Sequence, residues 1–433
     1  MRYTINKRYV LRRNALDNFI LYDKYKLIEH TITAKMYFLL RFFLLKPCSF
    51  DDFNEYCRKE SINTQDFYDA INSKDLSDLL VETQNDKEKV KYNDYVGSSL
   101  TMRCPERVEF LITRRCNLKC PHCFESSAPI LPIDRISHTD ICKFADQLDI
   151  ANVKTVKITG GEPFVHPDID DVLNVFTDHH FETLILTNGL LLNDERIDFI
   201  SKNHIQLGIS LDGVNSQSYD YIRGKGNFKK LHVILNKLKS KGVIFTLTCT
   251  VNKINISDIK NIVHVALEDY GAQFIILGRL RPMGRGKENN GLSLSDEQQK
   301  YVLKFYEQEK QKYKDRITLA DDSILRPLDT DVISCSAGNS VFGVDAKFNV
   351  YPCVFGIGHP QYMIGNLIDD GIENIWHSKK WDIFRGKTLL KDLTACSQCA
   401  KNKKCVMKNC RMRPVFEGRD FYDAISYCDG TES

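Results

Sequence analysis

Between residues 108 and 277, short apolar strands alternate with amphipathic helices, and each strand hands over to small, polar or acidic residues at its carboxyl end. β-Branched and aliphatic runs predict strands over 108–113, 155–159, 182–187, 205–210, 243–251 and 273–277. Helical spacing of apolar residues predicts helices over 138–148, 169–177, 195–202, 228–241 and 256–270. Strand and helix taking turns six times over is the pattern of a parallel sheet, because a parallel partner can be reached only through a crossover. Such a sheet curls towards a barrel, and its chemistry collects at the carboxyl ends of the strands.

Those ends carry four distinctive stretches. The first strand runs into Cys116-Asn117-Leu118-Lys119-Cys120-Pro121-His122-Cys123, the second into Gly160-Gly161-Glu162-Pro163, the third into Asn188-Gly189, and the fourth into Ser210-Leu211-Asp212-Gly213. Closely spaced cysteines more often hold zinc, but a structural zinc site wants four ligands, commonly as two separated pairs. Three thiolates suit three irons of a [4Fe-4S] cube, leaving one iron open to bind something else. Taken singly, the glycine turns, the Ser-Leu-Asp-Gly turn and Arg223 are ordinary turn chemistry and a surface charge. Their order on consecutive strands behind the cysteines is what carries information.

In that order the chain resembles the radical S-adenosylmethionine (SAM) enzymes, over about residues 108–286. The resemblance implies an α/β fold built on a partial (β/α)6 barrel, with Cys116, Cys120 and Cys123 ligating a cluster whose open iron takes SAM. It implies that Gly160, Gly161, Glu162 and Pro163 form the turn at the methionine amine, the glycines giving close backbone approach and the carboxylate facing the ammonium. Asn188, Ser210 and Asp212 match positions near the ribose and methionine, Arg223 matches the arginine that grips the SAM carboxylate, and His122 lies beside the adenine. A reduced cluster would then cleave SAM to a 5'-deoxyadenosyl radical, which abstracts hydrogen from an unactivated C–H bond.

The flanks of the barrel are informative too. At the amino end, strands are expected over 9–13, 18–22 and 27–31 and helices over 34–45, 49–59 and 63–72, with Ser49 capping a first turn that contains Asp51 and Asp52. That is a winged-helix-like layout for residues 1–82. Its third helix carries Asp66 and Asp69 and almost no basic residues, which argues against nucleic acid. Placed before a radical SAM barrel, the layout resembles the leader-recognition element of ribosomal peptide (RiPP) maturases. The mode implied is addition of a peptide strand to the 27–31 edge. Residues 83–105 read as a linker because 84–91 is charged without apolar period. The barrel is assigned to 106–315, and the basic loop 279–286 reads as a solvated turn before it reads as a contact for a substrate backbone or carboxylate. A helix over 295–314 is expected to bridge outward.

The tail, 316–433, holds Cys335, Cys353, Cys396, Cys399, Cys405, Cys410 and Cys428. Seven thiols exceed one zinc site and fall one short of two closed cubes. The spacing resembles the SPASM extension, which carries two auxiliary [4Fe-4S] clusters. The resemblance gives Cys335, Cys353 and Cys410 to the nearer cluster and Cys396, Cys399, Cys405 and Cys428 to the farther one. The nearer cluster then lacks a fourth thiolate, with Cys104, Cys249, substrate or another atom as candidates to complete it. Cys48, Cys57 and Cys142 read as core thiols.

The 433 residues carry a net charge of only +3, which favours neither nucleic acid nor a membrane surface. The apolar stretch 36–45 is too short to span a bilayer and contains Arg41. Fifteen cysteines without a signal peptide point to metal ligands in a reducing, cytoplasmic setting. The sequence therefore points to a radical SAM, iron-sulfur oxidoreductase that installs a thioether, carbon-carbon or ether crosslink in a precursor peptide carrying a leader. It would be supplied with electrons by a flavodoxin- or ferredoxin-type reductant. In sulfatase maturases, which share the SPASM extension, an aspartate follows the second of its cysteines as acid/base. Here Val354 follows Cys353. Peptide epimerisation, another SPASM protein modification, RNA modification and non-catalytic electron transfer are the alternatives.

Overall fold

The computed structural model describes residues 1–15, 18–45, 47–83, 92–94, 101–280, 283–320, 332–400 and 409–424. Two compact units emerge, Met1–Glu106 with Leu148–Lys154, and Arg107–Gln147 with Thr155–Ser433.

In the first unit a short β1 (Tyr3–Ile5), not read from the sequence, precedes β2 (Tyr9–Ala15), β3 (Asn18–Asp23) and β4 (Ile28–Ile32), which lead into α1 (Ala34–Leu45), α2 (Phe50–Lys59) and α3 (Gln65–Ile71) as expected. α2 starts where it does because Ser49 and Asp52 cap each other reciprocally, satisfying two amides that the helix leaves free. Phe43, Phe53 and Phe67 from the three helices meet in one core with Leu11 and Leu21 of the strands. Each such buried side chain contributes about 1.5–3 kcal/mol. Two short strands that the sequence does not announce complete the unit. β5 (Leu80–Glu82) pairs with β1, and β6 (Tyr92–Asn93), from the stretch read as linker, pairs parallel to β2. The residues 84–91 on which the linker reading rests lie outside the described residues. The four-stranded sheet runs β4-β3-β2-β6, so β4 is an edge.

The second unit is built on a ten-stranded sheet. Its parallel part comprises β7 (Arg107–Thr113), β8 (Thr155–Gly160), β9 (Glu182–Thr187), β10 (Gln206–Ser210), β11 (Phe245–Val251) and β12 (Phe274–Arg279). The crossovers run through α4 (His138–Ile150), α5 (Ile169–Asp178), α6 (Asp194–Lys202), α7 (Ser216–Arg223), α8 (Asn227–Ser240) and α9 (Ile259–His264). In β8, β9, β11 and β12 fully buried residues alternate with half-buried ones. The buried set faces the helices: Phe110 of β7 stacks towards Phe144 of α4, centroids 5.2 Å apart. The opposite face, with Glu109, Lys157 and Thr248, lines the lumen.

The barrel sheet extends beyond the six strands read from sequence. After the short α10 (Arg285–Glu288), α11 (Asp296–Tyr313) does not bridge outward; it delivers β13 (Ile317–Leu319) parallel to β12. Past β14 (Val332–Ser334), β15 (Val341–Asp345) joins the opposite edge, parallel to β7, and β16 (Asn349–Tyr351) and β17 (Gly365–Asn366) follow antiparallel. The tail thus begins as a continuation of the barrel sheet. α12 (Leu367–Asp370), α13 (Ile372–Trp376), β18 (Arg385–Leu389), paired with β14, and α14 (Met412–Phe416) complete it. No helix among the described residues is long and apolar enough to cross a membrane.

Candidate functional site

The cysteine loop leaves β7 at Thr113, and the end of β8 is sewn to it. Gly161 N–H donates to the Thr113 carbonyl at 2.7 Å, and Glu162 N–H to the Arg115 carbonyl at 2.9 Å. Both glycines are there for this approach. A Cβ on Gly160 would stand 2.2 Å from the Thr113 carbonyl oxygen, and one on Gly161 2.2 Å from that of Arg115. Pro163 then opens a buried 3-10 turn.

Glu162 is wholly buried, and its oxygens accept from Thr187 Oγ1 (2.7 Å), the Asn188 amide (2.7 Å) and the Phe164 amide (3.2 Å). Burial pushes its carboxyl group up, against the pull of these three donors. Its structural work is to hold the end of β9. Asn188, so fixed, donates through Nδ2 to Asn117 Oδ1 at 2.8 Å and approaches Cys116 Sγ at 3.9 Å.

From the next strands, Asp212 takes the amide of Thr250 on Oδ1 at 2.8 Å, and its carbonyl accepts from Asn255 Nδ2 at 3.1 Å. Arg223 closes on Asp212 Oδ2 through Nε at 2.6 Å, while its Nη1 lies 3.8 Å from Cys120 Sγ. His122 Nε2 is 3.6 Å from Asp212 Oδ2. Burial pushes the imidazole down to about 4, so it is neutral at pH 7, and its Nδ1 is buried without a hydrogen-bond partner. Ser210 ends β10 opposite Thr248 of β11. The fold therefore brings Cys116, Cys120, His122, Glu162, Asn188, Asp212 and Arg223 into one linked network.

Three contributors escape sequence reading. Asn117 is one; Thr187 is another, its hydroxyl hidden in an apolar run. The third is Arg285, in the loop read as solvated. Its Nε donates to the Cys120 carbonyl at 2.9 Å, its Nη2 to the Ser127 carbonyl at 2.7 Å, and its amide to the Cys123 carbonyl at 3.0 Å. Arg281 and Pro282 of that loop lie outside the described residues.

In the tail, Cys335 and Cys353 are partly buried, and loss of solvent first, then the neighbouring thiols, pushes Cys335 up to about 12 and Cys353 well above its usual range. Cys410 is the neighbour that both of them feel. Cys396 and Cys399 bracket a 3-10 turn, and Cys405 and Cys428 lie outside the described residues. Cys249 is buried on the helix-covered face of β11, with Asn255 Nδ2 3.7 Å from its sulfur, and Cys104 lies in the first unit with its amide on Asn93.

Among the described residues no three Cys, His, Asp or Glu side chains converge as ligands of a single metal ion would. The donor chemistry suits a larger, thiolate-bound core instead. Backbone amides two residues on donate to sulfur at Cys116 (Leu118, 3.4 Å) and Cys335 (Ala337, 3.2 Å). Such N–H···S bonds stabilise cluster thiolates, and the orphaned His122 Nδ1 waits beside the first set for a polar partner.

Comparison with known proteins bears on the same two regions. The radical SAM superfamily model matches residues 110–266, and the SPASM model, an iron-sulfur cluster-binding domain, matches 335–405. The mycofactocin maturase MftC of Mycolicibacterium smegmatis is 31% identical over 307 residues, 68% of this chain and 75% of that one. The antilisterial bacteriocin subtilosin biosynthesis protein AlbA of Bacillus subtilis is 29% identical over 277 residues. That match covers 63% of this chain and only 60% of AlbA. Streptococcus suis SuiB bound to S-adenosylmethionine shares the fold at a TM-score of 0.70 and 16% identity, over 98% of this chain and 100% of SuiB. The chain belongs to the radical SAM superfamily and carries a SPASM domain, and with them the superfamily's [4Fe-4S] and SAM cofactors.

Proposed function

We propose that the protein is a radical SAM maturase of a ribosomally made precursor peptide, and that it installs a crosslink. The observation that carries the reading is the network joining Cys116 and Cys120 to Glu162, Asn188, Asp212 and Arg223. Cys116, Cys120 and Cys123 would hold the first cluster, with Asn188, Ser210, Asp212, Arg223 and the Gly160–Pro163 turn around SAM. When bound, the cluster and SAM supply the single-electron chemistry that removes hydrogen from an unactivated C–H bond. Everything else is the protein's. Arg223 offers a charged grip whose direction Asp212 sets, Glu162 and Arg285 hold the loops on either side, and the neutral His122 adds no charge beside the adenine.

A peptide substrate is supported by the company the chain keeps. AlbA and MftC are named for bacteriocin biosynthesis and mycofactocin maturation, and SuiB has also been solved with its precursor peptide SuiA. The edge position of β4 supports leader capture by strand addition within residues 1–82 of the first unit. Cys335, Cys353 and Cys410, and Cys396, Cys399, Cys405 and Cys428, would hold the auxiliary clusters through which the second electron of a net oxidation leaves. Epimerisation needs a hydrogen donor such as a thiol, and Cys249 is turned away from the lumen. A flavodoxin or ferredoxin of the cytoplasm would be the electron source.

The test is to co-express the chain with the short leader-bearing open reading frames beside its gene and weigh the product. Loss of two hydrogens is expected. Unchanged mass with deuterium taken from solvent would mean epimerisation instead, and no 5'-deoxyadenosine with any peptide would remove the reading altogether.

A further inference from the structure

Glu109 lies in the middle of β7, on the lumen face. By register its neighbours are Lys157 on β8 and Gly343 on β15. Its side chain is 10% exposed, and Lys157 Nζ stands 3.0 Å from Oε1, with Arg107 Nη2 4.0 Å from the same oxygen.

The glycine opposite shows how close the tail comes. A Cβ on Gly343 would fall 3.1 Å from Cys353 Cα and 2.7 Å from its carbonyl carbon, so the Cys353 backbone is seated on β15, one strand from Glu109 and on its face of the sheet. Cys335 and Cys353 both feel the Glu109 charge. An iron-sulfur core wants an oxygen or sulfur donor on each of its irons, and three cysteines leave one iron without a protein donor.

We propose that Glu109 is the fourth protein ligand of the cluster held by Cys335, Cys353 and Cys410, with Lys157 fixing the carboxylate's direction. This rests on the assignment of those three cysteines to a cluster. Cys249, the other donor considered from the barrel, is on the wrong face of its strand. An oxygen ligand donates less electron density to its iron than a thiolate does, and would make the iron it holds the most readily lost.

The experiment uses the full chain with Cys116, Cys120 and Cys123 changed to Ala, rebuilt anaerobically, so that only tail clusters contribute. Iron and sulfide are counted, and Mössbauer and EPR spectra are recorded before and after mild oxidation. Glu109→Gln is expected to lose one iron from one cluster and to show a three-iron EPR signal. Glu109→Cys is expected to regain the iron, with the cluster's potential shifted. A thiolate cannot remake the pair with Lys157 as a carboxylate does, so rescue by cysteine separates ligation from a structural ion pair. Unchanged iron and spectra in Glu109→Gln overturn the proposal, and so does loss in Glu109→Gln that Glu109→Cys fails to restore. Cys353→Ala is the control: if it leaves iron and spectra untouched, the assignment of the three cysteines fails first.

Discussion

Arg223 grips Asp212 by one oxygen only, Nε and Nη2 both reaching Oδ2, at 2.6 and 2.5 Å, while Oδ1 is taken by the Thr250 amide. Asp212 is completely buried and the arginine nearly so. Asp212→Asn leaves a buried guanidinium without its counter-charge, which costs about 3–5 kcal/mol. Denaturant unfolding of the apo chain should show that loss. Arg223→Lys, which keeps the charge but not the two-nitrogen grip, should unfold nearly as the parent does and bind SAM more weakly. Equal SAM affinity in the lysine variant would show that the guanidinium's direction is irrelevant.

Gly161→Ala is expected to act on one cluster and spare the others. The new methyl meets the Arg115 carbonyl oxygen at 2.2 Å and that of Arg114 at 2.6 Å, and backbone cannot step aside as a side chain can. The loop bearing Cys116 must move. Iron analysis after anaerobic reconstitution should fall by the share of the first cluster, with the tail's iron retained.

Glu162 should prove to be a brace. Glu162→Gln presents an amide to donors and loses at least one of three buried acceptor contacts, a cost of about 1–3 kcal/mol. If its role is to hold Asn188 in place, a Thr187→Val change, which removes one of the same bonds, should combine with it less than additively in a double-mutant cycle.

His166 makes the barrel unit sensitive to acid. Its Nδ1 accepts from the Asp168 amide at 3.2 Å and its Nε2 donates to the Asp134 carbonyl at 2.8 Å, an arrangement open only to the neutral ring. Burial is the main force lowering its pKa below 6.5. The unfolded chain therefore takes up a proton at a pH where the folded one does not. Stability should be full above about pH 6.5 and fall as the pH drops from there towards the folded value. Urea unfolding between pH 7.5 and 5 should show the decline, and His166→Gln should flatten it.

Much of this protein could be read along the chain, because the signals involved are local. The spacing of Cys116, Cys120 and Cys123, the glycine turn after β8 and the Ser49 cap each depend on residues a few positions apart. The helix and strand periods survive wherever one face is buried, so the helix read over 169–177 was found at 169–178. Even the edge strand of the first unit was placed within a residue.

What only the tertiary structure decided involves partners distant in sequence. β13 and β15 are too short to stand out by pattern, and they exist as strands because the exposed edges of β12 and β7 offer them hydrogen bonds. Arg285 reads as a solvated base, but burial makes unpaired polar atoms costly, and it is turned instead to the carbonyls of Cys120 and Ser127 that folding brings within reach. The donors that fix Glu162, the Thr187 hydroxyl and the Asn188 amide, are likewise supplied by the end of the next strand. Glu109 is the clearest case. Nothing in the run 107–113 marks it as more than a polar residue on a strand, and it acquires meaning only when Cys353, 244 positions further on, is seated on the neighbouring strand.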